Sequence, residues 1–253
     1  MEFEVGVIVL MCLAFFVAGF IDSIAGGGGL ITLPTLLFAG IPPQLALGTN
    51  KLASSFGTGT AVLNFLLNKK MLWKVLLSGI AFSLGGSFLG SKTILLFEPE
   101  LVGKIIIFLL PLGIIATLIP RKGKTNDNEL SKIDYLLIIP IICLIIGFYD
   151  GFFGPGTGSF LTLGFFFFTR MKLIQATANA KVFNFMSNVG SLVAFLIGGK
   201  VLFMIAIPLA LANMAGNFFG SRLAIKKGES VIRIFLIISF VFLLGSLVWK
   251  YYF

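Results

Sequence analysis

Two stretches of this chain carry one pattern, and each sets it at the end of a long apolar run. Gly19 to Pro34 reads GFIDSIAGGGGLITLP, and Gly147 to Thr162 reads GFYDGFFGPGTGSFLT. In both, one acid, Asp22 or Asp150, stands a few residues before a glycine cluster. A short apolar segment follows, and then a lysine, Lys51 or Lys181, interrupts the next hydrophobic stretch. A soluble core has little use for such an arrangement. At membrane depth, ionisable residues face a cavity or one another and mark substrate or ion paths, so the pattern describes one site built twice.

The runs around it set the class. Of 253 residues, 58% are hydrophobic and 11% charged, against about half and about a quarter in soluble domains. Mean hydropathy is +1.07. Several runs approach or exceed the ~20 residues that carry a helix across a ~30 Å hydrocarbon layer, which predicts an all-α polytopic membrane protein. The formal charge of +9 lies mostly in loops, where it reports orientation, and nucleic-acid binding is excluded. There is no histidine, and Cys12 and Cys143 both fall in apolar runs. The usual ligands of zinc, haem and iron–sulfur sites are therefore missing, and no cofactor is expected. The two cysteines read as small packing residues. The N-terminal MEFEVGV carries acids where a signal peptide has a basic region, and its apolar run recurs before Asp150, so it reads as a retained span.

Taken in order, residues 5 to 21 can cross the bilayer, with Asp22 ending the run. Leu30 to Ala39 is about ten residues, which as a helix rises only ~15 Å, half a membrane. Gly40, Pro42 and Pro43 then break the helix. Residues 45 to 67 form an unusually polar span with Thr49, Asn50, Lys51, Ser54, Ser55 and Thr58, and residues 71 to 97 and 101 to 119 are two further spans. The polar stretch Arg121 to Asp134 reads as a linker, after which the pattern restarts. Asp22 aligns with Asp150 and Gly26 with Gly154 at an offset of 128, and two inserted residues make the offset 130 thereafter. Ala46 then meets Ala176, Lys51 meets Lys181, Lys70 meets Lys200, Gly86 meets Gly216, and Gly90-Ser91-Lys92 meets Gly220-Ser221-Arg222. This predicts a tandem duplication: a first transmembrane repeat over 1–120, a cytoplasmic linker over 121–134 and a second repeat over 135–253.

The cations decide how the copies are oriented. If each copy crosses five times, counting the short segment, and the N-terminus is outside, thirteen loop lysines and arginines fall in the cytoplasm and three (Lys104, Lys200, Lys250) outside. Four crossings per copy give nine against seven at best. The positive-inside rule favours the first. Each copy is then four long helices plus one short half-helix entered through a glycine-rich turn, the two repeats are inverted, and both termini lie outside the cytoplasm. A hydropathy count reports eight spans and misses the short pair.

A glycine-rich turn entering a short helix frees backbone N–H groups and aims the positive end of the helix dipole at an anion; it also lets helices approach closely. Gly27, Gly28, Gly29, Gly156, Thr157 and Gly158 are the candidates for substrate contact. A lysine near the bilayer centre costs ~2.5 to 3.5 kcal/mol on insertion scales. Lys51 with its neighbours Thr49 and Asn50, and Lys181 with Asn179, suit an oxyanion, or else the lysines pair internally with Asp22 and Asp150. The two acids are candidates for ion or proton coupling, or caps of the glycine turns. Gly86/Gly90 and Gly216/Gly220 read as packing pairs, with Ser83, Ser87, Asn213 and Asn217 on the same segments within reach of a cavity. Phe165 to Phe168 reads as a packing or lipid-facing block.

The runs IDSIAGGGGLITLP and GIPPQLALGTNKL closely resemble the first repeat of the sulfite exporter TauE/SafE family, also called the toluenesulfonate uptake permeases, and within it the YfcA-like branch. The second repeat, with QATANAKVFNFMSN, also fits, so the resemblance spans essentially the whole chain. It implies secondary transport of small anions, sulfite or organosulfonates, across a bacterial or archaeal inner membrane. It also implies substrate contacts at Gly27 to Gly29, Asn50 and Lys51, and in the second copy at Gly156 to Gly158, Asn179 and Lys181. The expected function is alternating-access anion transport with a midplane site between the repeats. A passive anion channel is the alternative. A membrane enzyme is disfavoured by the lack of histidine, metal motif or activated nucleophile.

Overall fold

The computed structural model describes residues 3–69, 71–118 and 130–227, with side chains described except at 107 and 110–118. Among these residues there is helix and no strand: α1 (Val5–Ala25), α2 (Gly29–Phe38), α3 (Pro43–Leu67), α4 (Trp73–Leu95), α5 (Pro99–Leu118), α6 (Ile139–Phe152), α7 (Thr157–Phe168), α8 (Leu173–Ile197) and α9 (Phe203–Lys227). The equivalence of Lys70 with Lys200, the linker as far as residue 129 and the last span of the second copy lie outside the described residues. The helix leading into α6 opens on a reciprocal cap: Ser131 N–H and Oγ donate to Asp134 Oδ2 at 2.7 and 2.9 Å. A π-helical turn, Asp134–Ile138, then runs directly into α6.

Long apolar segments become helices here because lipid offers no partner to a free backbone N–H or C=O. Five described segments are long and apolar enough to cross a membrane: Val5–Ala25, Trp73–Leu95, Asp134–Phe152, Leu173–Ile197 and Phe203–Lys227. At 25 residues α3 is long enough as well, but its polar residues keep it off that set. The two short apolar helices are α2 and α7, at 10 and 12 residues. One boundary differs from expectation: α1 runs past Asp22 to Ala25 and stops where Gly26 turns left-handed, φ 86°, its N–H bonded to Asp22 O. Asp22 therefore sits inside the last helical turn. Glycine, not the acid, ends the helix, because the left-handed conformation costs a residue with a Cβ far more.

Burial is inverted relative to a soluble protein. Met204 is 90% and Leu77 81% exposed, whereas Lys51 is 2%, Lys181 1% and Asn179 0% exposed. Apolar side chains cover the outside, and the inside combines two apolar clusters with buried amides, hydroxyls and ion pairs, as a protein solvated by hydrocarbon allows. The phenylalanine block divides accordingly, with Phe165 and Phe166 buried and Phe167 and Phe168 exposed.

Packing crosses between the two halves of the sequence. Helix α4 lies on α6 and α8, and α9 lies on α1 and α3. A Cβ on Gly86 would stand 2.5 Å from Leu144 O, and one on Gly90 would strike Phe148 O; Gly216 and Gly220 press in the same way on Phe16 O and Phe20 O. Close backbone approach at small residues is how membrane helices gain contact without a hydrophobic driving force between them. The backbone N–H groups of Leu72 and Leu202 repeat the exchange, donating to Asn179 Oδ1 and Thr49 Oγ1, each at 3.1 Å. Helices α3 and α8 meet antiparallel: Gly48 packs against Phe195 and the Lys200 carbonyl, while Gly59 packs against Phe185.

Candidate functional site

The two glycine turns meet. A Cβ on Gly26 would fall 2.5 Å from Ser159 N, and one on Gly158 would fall 2.7 Å from Gly26 Cα. Ser159 Oγ donates to Ala25 O at 2.7 Å and fixes the contact. The short helices start at this junction, with Gly28 and Gly156 in their N-cap positions and no side-chain cap on either. Their N-terminal residues Gly29 and Thr157 line one cavity, so two helix dipoles present positive ends to the same space.

Each lysine reaches the acid of the other half. Lys51 Nζ, from α3, lies 2.7 Å from Asp150 Oδ2, at the end of α6. Lys181 Nζ, from α8, lies 2.9 Å from Asp22 Oδ2, in the last turn of α1. Internal pairing, one of the two readings open from the sequence, is therefore present, and it is crossed. The pairs are held differently. Lys51 Nζ also donates to Asn188 Oδ1 at 3.1 Å, and Asn188 Nδ2 in turn donates to Thr58 Oγ1 at 3.4 Å. Thr157 Oγ1 donates to Asp150 Oδ1 at 2.7 Å, while Asp150 Oδ2 has no hydrogen bond among the described residues apart from its ion pair with Lys51. Lys181 Nζ, by contrast, also donates to the backbone oxygen of Asp22, and the Gly28 N–H approaches Asp22 Oδ1 at 3.4 Å.

Between the turns and helices α3, α8 and α9 lies a cavity of about 30 Å³. By that measure it has room for about two waters. It is lined by Asp22, Lys51 and Asp150, the amides Asn50, Asn184, Asn188 and Asn213, the hydroxyls Ser54, Thr58, Thr32 and Thr157, and glycines of both turns (Gly26, Gly28, Gly29, Gly154, Gly156, Gly158). Among the described residues, no aliphatic or aromatic side chain lines it. The four ionisable groups around it, Lys51, Lys181, Asp22 and Asp150, are neutral in sum.

Of the sequence candidates, Gly28, Gly29, Asn50, Lys51, Gly156, Thr157, Gly158, Asp22 and Asp150 come together on this cavity. Gly27, Thr49, Asn179 and Lys181 are not on its wall. Thr49 and Asn179 instead bond the backbone entering α9 and α4. Two positions before each lysine is about 200° around the helix, which turns them to another face. Asn184 and Asn188 are additions. They follow Lys181 at i+3 and i+7, as Ser54 and Thr58 follow Lys51, so one helical face carries the signal in both copies.

A bundle of apolar helices that buries ion pairs, amides and two broken-helix ends around one cavity has the build of a membrane transporter. The family model described as Sulfite exporter TauE/SafE matches residues 11–247, and the chain belongs to that family. It is 40% identical over 226 residues, 89% of this chain and 86% of the relative, to "Probable membrane transporter protein ORF9" of Sinorhizobium sp. It is 39% identical over 230 residues (89% and 88%) to a "Probable membrane transporter protein" of Haemophilus influenzae, and 37% identical over 234 residues (90% and 86%) to "Probable membrane transporter protein YfcA" of Escherichia coli strain K12. These relatives are named as transporters, a non-enzymatic class. No solved structure gives a significant match.

Proposed function

We propose that the chain is a secondary-active transporter of small anions, sulfite or organosulfonates, that works by alternating access around the cavity between its two repeats. The carrying observation is the convergence on one cavity of two short-helix N-termini and a lysine whose counter-charge comes from the other half of the chain. The repeats are inverted in this reading. The antiparallel meeting of α3 and α8 and the exchanged contacts of α4 and α9 support it, since a two-fold relation that reverses equivalent helices needs its axis in the membrane plane.

The charge balance supports a coupled ion. The resident cluster is neutral, so an arriving anion either leaves an uncompensated charge in a low-dielectric site or displaces a carboxylate from its lysine. A proton or cation arriving with it restores neutrality, and Asp150 and Asp22 are the groups placed to receive it. Both acids also contact their glycine turns, through Thr157 Oγ1 and the Gly28 N–H.

The test is flux into proteoliposomes with a panel of sulfur oxyanions, sulfonates and carboxylates. Saturable uptake of one class, with counterflow of labelled anion, is the expected result; flux that neither saturates nor shows counterflow makes the protein a channel. The topology is checked separately. With both termini outside, a cysteine at Asn126, outside the described residues, in a background lacking Cys12 and Cys143 resists external labelling in intact cells, and ready labelling there overturns the inverted-repeat reading.

A further inference from the structure

We infer that Asn184 is the second repeat's ligand to the transported anion, and that Lys181, the sequence equivalent of Lys51, is a strut and not a ligand. This rests on the anion-transport reading above. Four amides reach the cavity, and two are already committed. Asn188 accepts from Lys51 Nζ and donates to Thr58 Oγ1; Asn213 donates to Phe15 O at 3.0 Å and accepts from Asn217 Nδ2 at 3.0 Å.

The other two have donors to spare. Asn50 accepts a long bond from Ser54 Oγ, 3.4 Å, on its oxygen, and no acceptor for its Nδ2 is found among the described residues. Asn184 is 5% exposed, lies on the cavity wall, and its side chain makes no hydrogen bond among the described residues. Its amide atoms keep accessible surface at the cavity instead of being sealed off, and an amide that stays uncommitted and faces a cavity is placed for a ligand. Its counterpart by the repeat offset, Ser54, is spent on Asn50. The amide therefore gives the second copy a contact that the first copy lacks.

Lys181 is placed differently. It is not on the cavity wall, and its ammonium reaches both the carboxylate and the backbone oxygen of Asp22, which ties α8 to the last turn of α1. An anion in the cavity then meets one ammonium, from Lys51, and two amide donors, from Asn50 and Asn184.

The test uses the full chain in proteoliposomes with sulfite as the first probe, or the panel anion with the largest saturable flux. Replacing Asn184 by alanine should raise KM by roughly threefold to tenfold with kcat held, as the loss of a ground-state hydrogen bond does. Asn184→Ser, which copies Ser54 and keeps one donor, should fall between alanine and wild type. Thermal stabilisation of the detergent-solubilised protein by the anion should weaken in the same order. Lys181→Met should lower the melting temperature without ligand and leave KM of the folded fraction near wild type. An unchanged KM and unchanged ligand stabilisation in Asn184→Ala overturn the inference, as does a KM in folded Lys181→Met raised as far as in the Lys51→Met/Asp150→Asn double variant. Failure of the wild-type protein to carry any panel anion is a different result and removes the transport reading beneath it.

Discussion

The Lys51–Asp150 and Lys181–Asp22 pairs occupy equivalent positions in the two halves, yet they differ in what else holds them. Both lysines are 2% exposed at the side chain, but Asp150 is 2% exposed and Asp22 14%. Asp150 depends on Lys51 for one of its oxygens, whereas Asp22 is less buried and sits beside the Gly28 N–H. Lys51 is part of the cavity wall and Lys181 is not. In the proposed reading, one set of residues supplied twice is put to unequal use: the lysine of one pair stands where an anion can reach it, and the lysine of the other ties two helices together.

The sharpest way to break this comparison is Lys51→Met, which keeps the apolar stem and removes the charge. It leaves Asp150, 2% exposed, without its cation, and removing one partner of a buried pair costs about 3 to 5 kcal/mol. Folded yield should collapse. Adding Asp150→Asn removes the stranded charge and should restore folding, while anion affinity stays roughly tenfold to a hundredfold down for want of a charge-assisted bond. Gradient-driven accumulation should be lost in Asp150→Asn alone if that acid carries the coupling ion. Full recovery of anion affinity in the double variant would show that Lys51 never touches substrate.

Lys181→Met is the smaller perturbation, because the acid left behind is less buried, 14% exposed, and has a neighbouring N–H. A cost of about 1 to 3 kcal/mol is expected, in the range for a buried polar group left short of one partner. Here the double variant with Asp22→Asn should recover both folding and anion affinity, which sets it apart from the Lys51 pair. Melting temperatures of the four single and double variants, read with KM on the folded fractions, make the comparison.

Much of this was open to the sequence. Glycine and proline are strong local signals, so the short helices and the break at Gly40 to Pro43 could be read from spacing alone. Asp22 misled by one turn, since a charge at the end of an apolar run looks like the end of the helix, whereas Gly26 sets it. Which acid each lysine meets was not legible, because Asp22 and Asp150 stand in identical local patterns and only packing between distant segments decides. Thr49 and Asn179 drew attention by standing close to the lysines in sequence, though helical phase turns them away. Asn184 and Asn188 went unread, although that same phase puts them on the face of the lysine.

The smallest effects come from the glycines that shape the turns, and they test whether the two halves are unequal there as well. Gly26 and Gly154 align and both have positive φ, 86° and 97°, so alanine at either pays for a conformation that costs L-residues roughly 1 to 2 kcal/mol. At Gly26 the added methyl also meets the Ser159 backbone nitrogen at 2.5 Å and the backbone of Gly158. Neither wall can yield without separating the turns, so Gly26→Ala should lower folded yield well beyond the conformational cost. At Gly154 the nearest atoms are Asp150 O at 3.2 Å, Lys51 Nζ at 3.3 Å and Asp150 Oδ1 at 3.4 Å, of which the ammonium is the end of a flexible side chain. Gly154→Ala should therefore fold with only the backbone cost and show itself mainly in anion KM, through the displaced ammonium. Equal melting temperatures for the two alanine variants would mean that the turns do not press on one another at Gly26. A lowered melting temperature in Gly154→Ala with unchanged KM would mean that Lys51 Nζ does not stand where the anion binds.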